Sequence, residues 1–123
     1  MLLQILKAKL HMAAVTETEL HYHGSVTIDR DLMDAIGLLP YEKVLIANCE
    51  NGSRAESYVI EGERGSKVIK MNGALAHMAN VKDRVIILSF ASLTPEETKT
   101  FQPQVAILND SNDIVEQFAG SIQ

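Results

Sequence analysis

The sequence predicts a mainly β fold with a few short helices, arranged as a compact β-barrel or sandwich. Short segments rich in Val, Ile and Leu are separated by turn-forming residues at intervals of about 8–12 residues, a spacing typical of small all-β proteins. Helical patterns are few, and each covers only one or two turns. Since the chain has 123 residues, of which 46% are apolar, we expect one domain, residues 1–123, around one core.

Seven segments share the strand pattern of aliphatic and β-branched residues bounded by turn signals. They are Leu2–His11, Ser25–Ile28, Lys43–Cys49, Arg54–Glu61, Ser66–Met71, Arg84–Ser92 and Gln104–Leu108. Asn51-Gly52, between the third and fourth strands, indicates a two-residue hairpin turn of type I′, because both central positions of that turn need a positive φ. The residues from Asp113 onward alternate poorly, and we expect them to fray.

Three short helices are expected. Arg30–Ile36 has Asp29 as its N-cap and Gly37 at the left-handed position after its last turn. Thr94-Pro-Glu-Glu97 combines a capping box with proline at the first helical position. Ala74–Ala79 is long enough for about one further turn.

Composition excludes several classes of function. The formal net charge of −5 argues against binding to a nucleic-acid backbone, which needs a basic surface. No apolar run approaches the roughly 18 residues of a membrane span, and the first residues do not resemble a secretory signal. The single cysteine, Cys49, forms no internal disulfide, and we expect it to be a small core residue. The expected location is therefore cytoplasmic.

Motifs for familiar catalytic sites are lacking in the sequence. Four histidines, His11, His21, His23 and His77, have no spacing that favours a zinc site, so we expect no metal and interpret them as surface or partly buried residues satisfied by hydrogen bonds. No serine occupies a G-x-S-x-G elbow, and there is neither a P-loop nor a G-x-G-x-x-G motif.

Gly24-Ser25 has two interpretations. Such a pair is usually an ordinary turn. It can also cleave itself, when the serine hydroxyl attacks the glycine carbonyl and elimination leaves an N-terminal pyruvoyl group. Glycine favours this attack because it has no Cβ and tolerates strained backbone angles. A pyruvoyl group is an electron sink, as a bound cofactor would be.

An ordered set of motifs favours the second interpretation. The segment His21-Tyr22-x-Gly24-Ser25 resembles the processing site of the pyruvoyl-dependent aspartate 1-decarboxylase family. The other matching segments keep the family's order and spacing over about residues 1–108; they are Lys9-Leu-His11, Asn51-Gly-x-Arg54-x-x-Ser57-Tyr58, Glu63-Arg-Gly-Ser66, Asn72-Gly-Ala-x-Ala-His77, Val81-x-Asp83 and residues 94–98.

The resemblance implies a specific activity and fold. The family removes the α-carboxylate of L-aspartate through a Schiff base with the pyruvoyl group, giving β-alanine and CO₂ for pantothenate and coenzyme A synthesis. The resemblance further implies a zymogen that is cut between Gly24 and Ser25 into a β chain, residues 1–24, and an α chain, residues 25–123. It also implies a double-psi β-barrel and a cytoplasmic homotetramer with active sites between subunits. Whether a helper protein assists the cut is open.

The resemblance also assigns roles to matching residues. Lys9 and Arg54 bind the substrate carboxylates, and Tyr58 is the proton donor, since a phenol is protonated at neutral pH. Each has a plainer alternative, as a solvated cation or a strand aromatic. Arg54 and Tyr58 are four residues apart, so they share one face of a strand but lie about 13 Å apart along it.

The remaining expected site residues surround the cut. Ser57 replaces the usual threonine that steadies the oxyanion during self-cleavage and also lies near the substrate. Asn72 offers an amide, while the backbone of Gly73, Ala74 and Leu75 contacts substrate.

Three positions depart from the family. His23 replaces a common acid, Ala47 a common tryptophan, and Leu75 a small residue, and we expect Leu75 to narrow the substrate pocket. These departures affect the expected rate and efficiency of processing rather than the kind of enzyme. Two other functions stay open: a non-enzymatic β-barrel binding or assembly module in which Gly24-Ser25 is a turn, and a decarboxylase with another amino acid preference.

Overall fold

A computed structural model describes residues 1–119, and its elements follow the chain in a simple order. The nine strands are β1 (Leu3–Ala14), β2 (Glu17–Glu19), β3 (Ser25–Asp29), β4 (Lys43–Asn48), β5 (Arg54–Gly62), β6 (Ile69–Asn72), β7 (Arg84–Leu93), β8 (Gln104–Leu108) and β9 (Ile114–Ala119). The helices are α1 (Arg30–Ile36), a 3₁₀ helix (Gly73–His77) and α2 (Pro95–Thr98). The predicted mainly β fold class with a few short helices is therefore confirmed.

One continuous sheet contains all nine of these strands, in the order β2-β6-β3-β5-β4-β7-β1-β8-β9. Three neighbouring pairs are parallel, namely β1 with β8, β2 with β6, and β3 with β5. Buried side chains from strands near both ends of this order, including Met71 of β6 and Leu108 of β8, belong to one hydrophobic cluster. A sheet whose distant strands share one core must curl on itself, as in the double-psi β-barrel that the resemblance implies.

The helices α1 and α2 have the predicted capping residues. The Asp29 side chain accepts a hydrogen bond from Asp31 N, while Gly37 takes the left-handed conformation (φ 69°) after α1. Both hydrogen bonds of the Thr94–Glu97 capping box are present at α2. The third helix begins one residue earlier than expected and ends at His77.

The hairpin between β4 and β5 is antiparallel, but the predicted type I′ turn is wrong. The loop spans residues 49–53, in which Gly52 alone has a positive φ (75°). Asn48 Oδ1 accepts from Glu50 N, and Asn51 Oδ1 accepts from Ser53 N, so two side chains stabilise a longer loop. Cys49 is therefore exposed in this loop, and its assignment to the core was also wrong.

The predicted strand Ser66–Met71 begins later than expected, again because a side chain hydrogen-bonds to the backbone. Asp29 is fully buried, and its carboxylate accepts hydrogen bonds from Gly65 N and Lys67 N, which holds residues 65–67 in a turn; β6 therefore begins at Ile69. Strand β2 was not predicted because it has only three residues. Strand β9 was not predicted because most of this edge strand is exposed and lacks alternation, so the expected fraying from Asp113 is wrong as far as Ala119. Residues 120–123 lie outside the described part of the chain.

Alternation gives the middle of the sheet a second face that points away from the core. On β7, Val85 and Ile87 are buried in the core, whereas Ile86 and Leu88 are half-buried on the other side. We call the side of β5, β4, β7 and β1 that points away from the core the outer face. Its members that matter below are Lys9, Leu45, Ala47, Arg54, Glu56, Tyr58, Ile86, Leu88 and Phe90.

Candidate active site

Ser25 is the first residue of β3 and is completely buried, although the turn before it is exposed. Its hydroxyl donates a hydrogen bond to the His23 carbonyl oxygen, with an Oγ–O distance of 3.0 Å. The Ser25 Oγ atom also accepts a hydrogen bond from the Asn72 amide, at a distance of 3.1 Å. Ser25 is therefore held on both sides, one peptide bond away from the exposed Gly24.

Asn72 faces Ser25 because β6 pairs antiparallel with β3, with Ser25 opposite Asn72. The Asn72 Nδ2 atom also donates to Thr27 Oγ1 at 2.9 Å. Asn72 Oδ1 is buried and finds no hydrogen-bond partner among the described residues. The site therefore contains one buried acceptor that can still receive a hydrogen bond.

Gly73 approaches the scissile peptide from the start of the 3₁₀ helix. Its φ is 64°, and a Cβ at this position would stand 2.8 Å from Gly24 Cα and 3.0 Å from Tyr22 O. Gly24, in contrast, has open space where a Cβ would point and is not in the left-handed region. The position that requires glycine on steric grounds is therefore Gly73 rather than Gly24.

The two residues after Gly73 differ in exposure. Ala74 is exposed, while the Leu75 side chain is 6% exposed and belongs to the core cluster. The expected pocket-narrowing effect of Leu75 has no support in this arrangement, since its side chain points into the core.

Tyr58 lies on the strand next to Ser25. Val26 pairs with Val59 in the parallel β3–β5 ladder, and Ser25 and Tyr58 immediately precede these two residues. Because Val26 and Val59 are both fully buried in the core, alternation places Ser25 and Tyr58 on the other side of the sheet. The Tyr58 ring is 6.4 Å from that of Tyr41, so it also has an aromatic neighbour.

Arg54 shares the outer face with Tyr58, as predicted from their spacing. The β4–β5 register is regular from Lys43 opposite Tyr58 to Ala47 opposite Arg54, so no bulge shortens the distance of about 13 Å along the strand. Ser57 alternates to the opposite side from Tyr58 and lies across from Val44. Within one chain, then, Arg54 and Ser25 are not brought together.

Lys9 lies on the same outer face, three strands away from β5. It is opposite Leu88, Leu88 is opposite Leu45, and Leu45 is opposite Glu56, which stands between Arg54 and Tyr58 on β5. Three strand spacings make about 14 Å along the sheet. Neither Lys9 nor Arg54 forms an ion pair with another residue of the described chain, in contrast to Lys43, which pairs with Glu56 at 3.0 Å. The two cations are therefore available to an anion.

His11 is two residues from Lys9 on β1 and is half-buried. Burial, and then the charges of Lys9 and Arg84, lowers the pKa of His11 below its ordinary value of 6.5. Its Nδ1 atom is buried and has no hydrogen-bond partner among residues 1–119, so the expectation that every histidine would be satisfied is wrong here.

A cleft of about 280 Å³ opens on the outer face and is lined by Gln4, Lys43, Val44, Leu45, Glu56 and Phe90. In the described chain, no group of three or more His, Cys, Asp or Glu side chains is arranged to hold a metal ion. None of the helices over residues 1–119 is long and apolar enough to cross a membrane.

Thr27 is the site residue that the sequence analysis missed. Alternation on β3 gives it the same side as Ser25, so the spacing of two residues was the available signal. The sequence alone did not show that Asn72, which lies 45 residues after Thr27, hydrogen-bonds to both hydroxyls.

These features define a class of protein: a small, mainly β protein whose candidate reactive group is a buried serine at a Gly-Ser peptide. The profile of the family described as aspartate decarboxylase matches residues 1–115, and the chain belongs to this family. The family membership inferred from the motifs is thereby confirmed, and the activity that gives the family its name makes its members lyases.

Three relatives illustrate the similarity, and each is named aspartate 1-decarboxylase. The protein of Bacillus licheniformis is 54% identical over 112 residues, which are 91% of this chain and 88% of the relative. That of Bacillus subtilis is 50% identical over 117 residues, 95% and 91% of the two chains. That of Exiguobacterium sibiricum is 50% identical over 122 residues, 99% and 96% of the two chains.

Proposed function

We propose that this chain is a self-processing aspartate 1-decarboxylase, which converts L-aspartate to β-alanine and CO₂ with a pyruvoyl group made from Ser25. The observation that carries the proposal is the position of Ser25 in a member of this family. Its buried hydroxyl is held between the His23 carbonyl and the Asn72 amide, beside an exposed Gly24.

The first reaction is the cut between Gly24 and Ser25. Ser25 Oγ attacks the Gly24 carbonyl carbon, the C–N bond breaks, and an ester replaces the peptide while the Ser25 nitrogen becomes an amine. Ser25 then loses its α-proton and expels the Gly24 carboxylate, which leaves dehydroalanine at position 25. Its imine tautomer takes up water and releases ammonia, so residues 1–24 end in a carboxylate and residues 25–123 begin with a pyruvoyl group.

Two groups are suited to assist this cut. The N–H of Asn72 already points at Ser25 Oγ and can stabilise the negative charge that develops on this atom. The family resemblance assigns the oxyanion on the Gly24 carbonyl to the hydroxyl of Ser57, on the strand beside β3, although alternation places Ser57 on the other side of that strand from Tyr58.

The surroundings of residue 25 fit a small carbonyl group. Asn72 Oδ1 is a buried acceptor that has no hydrogen-bond partner among residues 1–119, and the Gly73 backbone lies against Gly24 where a side chain would not fit. The pyruvoyl group supplies a ketone that condenses with an amine and withdraws electrons from the bond that breaks. Asn72 and the backbone of Gly73, Ala74 and Leu75 would hold it and the substrate in place.

The other candidate residues provide charge and a proton. Aspartate carries two carboxylates, for which Arg54 offers a bidentate guanidinium and Lys9 a point charge; neither is neutralised by a neighbour in the described chain. Tyr58, next to Ser25 across the β3–β5 ladder, donates the proton that replaces the departing carboxylate.

A site shared between subunits accounts for the distance of Lys9 from β3, which is about 19 Å along the sheet over four strand spacings. The outer face between them exposes apolar side chains: Phe90 is 43% exposed, and Ile86, Leu88 and Leu45 are half-buried. Covering such a face by a second copy would bring a partner's Lys9 toward Ser25. A homotetramer, and a cytoplasmic location, belong to this proposal on the strength of the family resemblance.

Mass spectrometry of the purified protein tests the proposal. We expect two chains, residues 1–24 and 25–123, the second carrying a carbonyl that reacts with hydroxylamine, and CO₂ release from L-aspartate. Ser25→Ala should yield one intact chain and no β-alanine. Intact chains in the unsubstituted protein, without a reactive carbonyl, would instead favour a non-enzymatic β-barrel module. Assays with glutamate and aspartate analogues separate aspartate from other amino acid preferences.

A further inference from the structure

We propose that Thr27 is a positioning residue for self-cleavage, which acts by fixing the Asn72 amide so that it donates to Ser25 Oγ. The inference rests on the proposed cut between Gly24 and Ser25 and assigns a role within it to a residue outside the scissile pair. Its basis is the bridge in which one nitrogen, Asn72 Nδ2, donates to both hydroxyl oxygens, at 3.1 Å and 2.9 Å.

The orientation of the Asn72 amide follows from counting protons. A serine hydroxyl has a single proton, and Ser25 gives it to the His23 carbonyl oxygen. Toward Asn72, therefore, Ser25 Oγ can only accept, and the atom that faces it must be the NH₂ group. The hydrogen-bond network therefore fixes which end of the amide is nitrogen.

Thr27 then occupies the second N–H of the same group. Both protons of Asn72 Nδ2 are used, one on each hydroxyl, and Asn72 Oδ1 is left pointing elsewhere without a partner among the described residues. An amide bound only by Ser25 would be free to turn its unpartnered oxygen toward another donor. With Thr27 in place, turning Nδ2 away from Ser25 also breaks its hydrogen bond to Thr27 Oγ1, and the threonine hydroxyl would have to reorient its proton to form a new one.

The position of Thr27 makes it suitable for this task. It lies on the same side of β3 as Ser25, opposite Lys70 of β6 and Ile60 of β5, with strands on both sides. A threonine side chain in such a strand has few rotamers, so its hydroxyl is a fixed acceptor. The consequence is a preorganised donor at Ser25 Oγ, which becomes negative when it gives up its proton to attack Gly24 and again when it leaves as part of the Gly24 carboxylate.

The test compares three variants made by cell-free synthesis, with the cut followed by intact-mass spectrometry after translation is stopped. Thr27→Val keeps the shape of the side chain but removes the acceptor, and we expect cleavage to slow by about tenfold, as for the loss of one hydrogen bond near the reacting atom. Thr27→Ser restores the hydroxyl and should cleave within about threefold of the unsubstituted chain. Thr18→Val, a half-buried strand threonine of β2, should leave the rate unchanged.

Stability is measured separately, so that a folding defect is not mistaken for a positioning effect. Each Thr27 variant is combined with Ser25→Ala, which cannot cleave, and its thermal midpoint is compared with that of Ser25→Ala alone. The proposal predicts that Thr27→Val slows the cut while Thr27→Ser rescues it, whatever the small change in midpoint.

The outcomes separate this inference from the proposed function. If the unsubstituted chain cleaves and Thr27→Val cleaves at the same rate, the role of Thr27 is refuted while self-processing stands. Slowing that Thr27→Ser does not rescue, or that Thr18→Val reproduces, also refutes it. If the unsubstituted chain never cleaves, both proposals fall together.

Discussion

The backbone of Gly73 lies directly against the backbone of Gly24. A Cβ at Gly73 would stand 2.8 Å from Gly24 Cα and 2.9 Å from Gly24 N, distances that real Cβ contacts do not reach. The contact joins the first residue of the 3₁₀ helix to the residue before the proposed cut. It makes the geometry of the Gly24-Ser25 peptide dependent on a residue 49 positions away in the sequence.

The first prediction is that Gly73→Ala both destabilises the protein and impairs the cut. An alanine at a φ of 64° is strained, and its methyl would push the Gly24 backbone away, for a combined cost of about 2–5 kcal/mol in the free energy of unfolding. Urea unfolding in the Ser25→Ala background measures the stability, and mass spectrometry measures the cleavage rate.

Gly52→Ala is the matched control for this change. Gly52 has a φ of 75° but nothing within 4 Å of a Cβ, so it shares the backbone strain and lacks the contact. It should lose about 1–2 kcal/mol and cleave normally. Equal behaviour of the two variants would contradict the importance of the Gly73–Gly24 contact.

The second prediction concerns Tyr58. Tyr58→Phe removes the phenol proton and keeps the ring, so the chain should still cleave, whereas β-alanine formation should fall by about 10²–10⁴-fold. Tyr41→Phe is the control, because the Tyr41 ring lies 6.4 Å from that of Tyr58 and is 78% exposed. Undiminished turnover by Tyr58→Phe would remove this residue from the role of proton donor.

Local signals in the sequence predicted much of the fold, while the site depended on pairing over long distances. The caps at Asp29 and Thr94 and the shared face of Arg54 and Tyr58 follow from neighbouring residues, and each was predicted correctly. The link between Ser25 and Asn72 requires the register of β3 on β6, which periodicity does not specify.

The error at the hairpin has a different, local origin. The predicted Asn51-Gly52 turn is wrong because the side chains of Asn48 and Asn51 hydrogen-bond to the backbone of the loop, and a dipeptide pattern does not include such bonds. The position of Lys9, three strands from Glu56, depends instead on the order of the strands in the sheet. Family resemblance supplied the candidate roles, and the sheet supplied the distances between them.

The third prediction is a dependence on pH that originates at His11. Its pKa is lowered in the folded chain by burial and by Lys9 and Arg84, so the folded state binds its proton less readily than the unfolded state does. This contribution to stability is therefore complete above about pH 6.5 and is lost as the pH falls from there through the lower folded-state pKa.

Titration of His11 by NMR, in the Ser25→Ala chain, measures the shift directly. The midpoint should lie below 6.5, and Lys9→Met should raise it because one of the two neighbouring positive charges is removed. Lys7→Met serves as the control, since Lys7 is paired with Glu42 at 2.7 Å. A midpoint at or above 6.5, or one that Lys9→Met leaves unchanged, would contradict this assignment.

The fourth prediction is that two inactive variants restore activity when they form one oligomer. If each active site takes Ser25 from one subunit and Lys9 from another, a Lys9→Met chain still offers a processed residue 25, and a Ser25→Ala chain still offers Lys9. Coexpression should therefore regenerate some complete sites, whereas each variant alone should decarboxylate aspartate poorly. Steady-state β-alanine formation by the purified mixed oligomer is the measurement, with separately purified variants assayed side by side as the reference.

The control is a chain that carries both changes, Lys9→Met and Ser25→Ala, coexpressed with the Ser25→Ala chain. This combination provides no complete site and must stay inactive. Recovery of β-alanine formation by the Lys9→Met and Ser25→Ala pair, and not by the control, supports sites shared between subunits. If that pair stays inactive in an oligomer shown to contain both chains, then Lys9 and Ser25 serve one site from the same chain, or Lys9 does not bind the substrate.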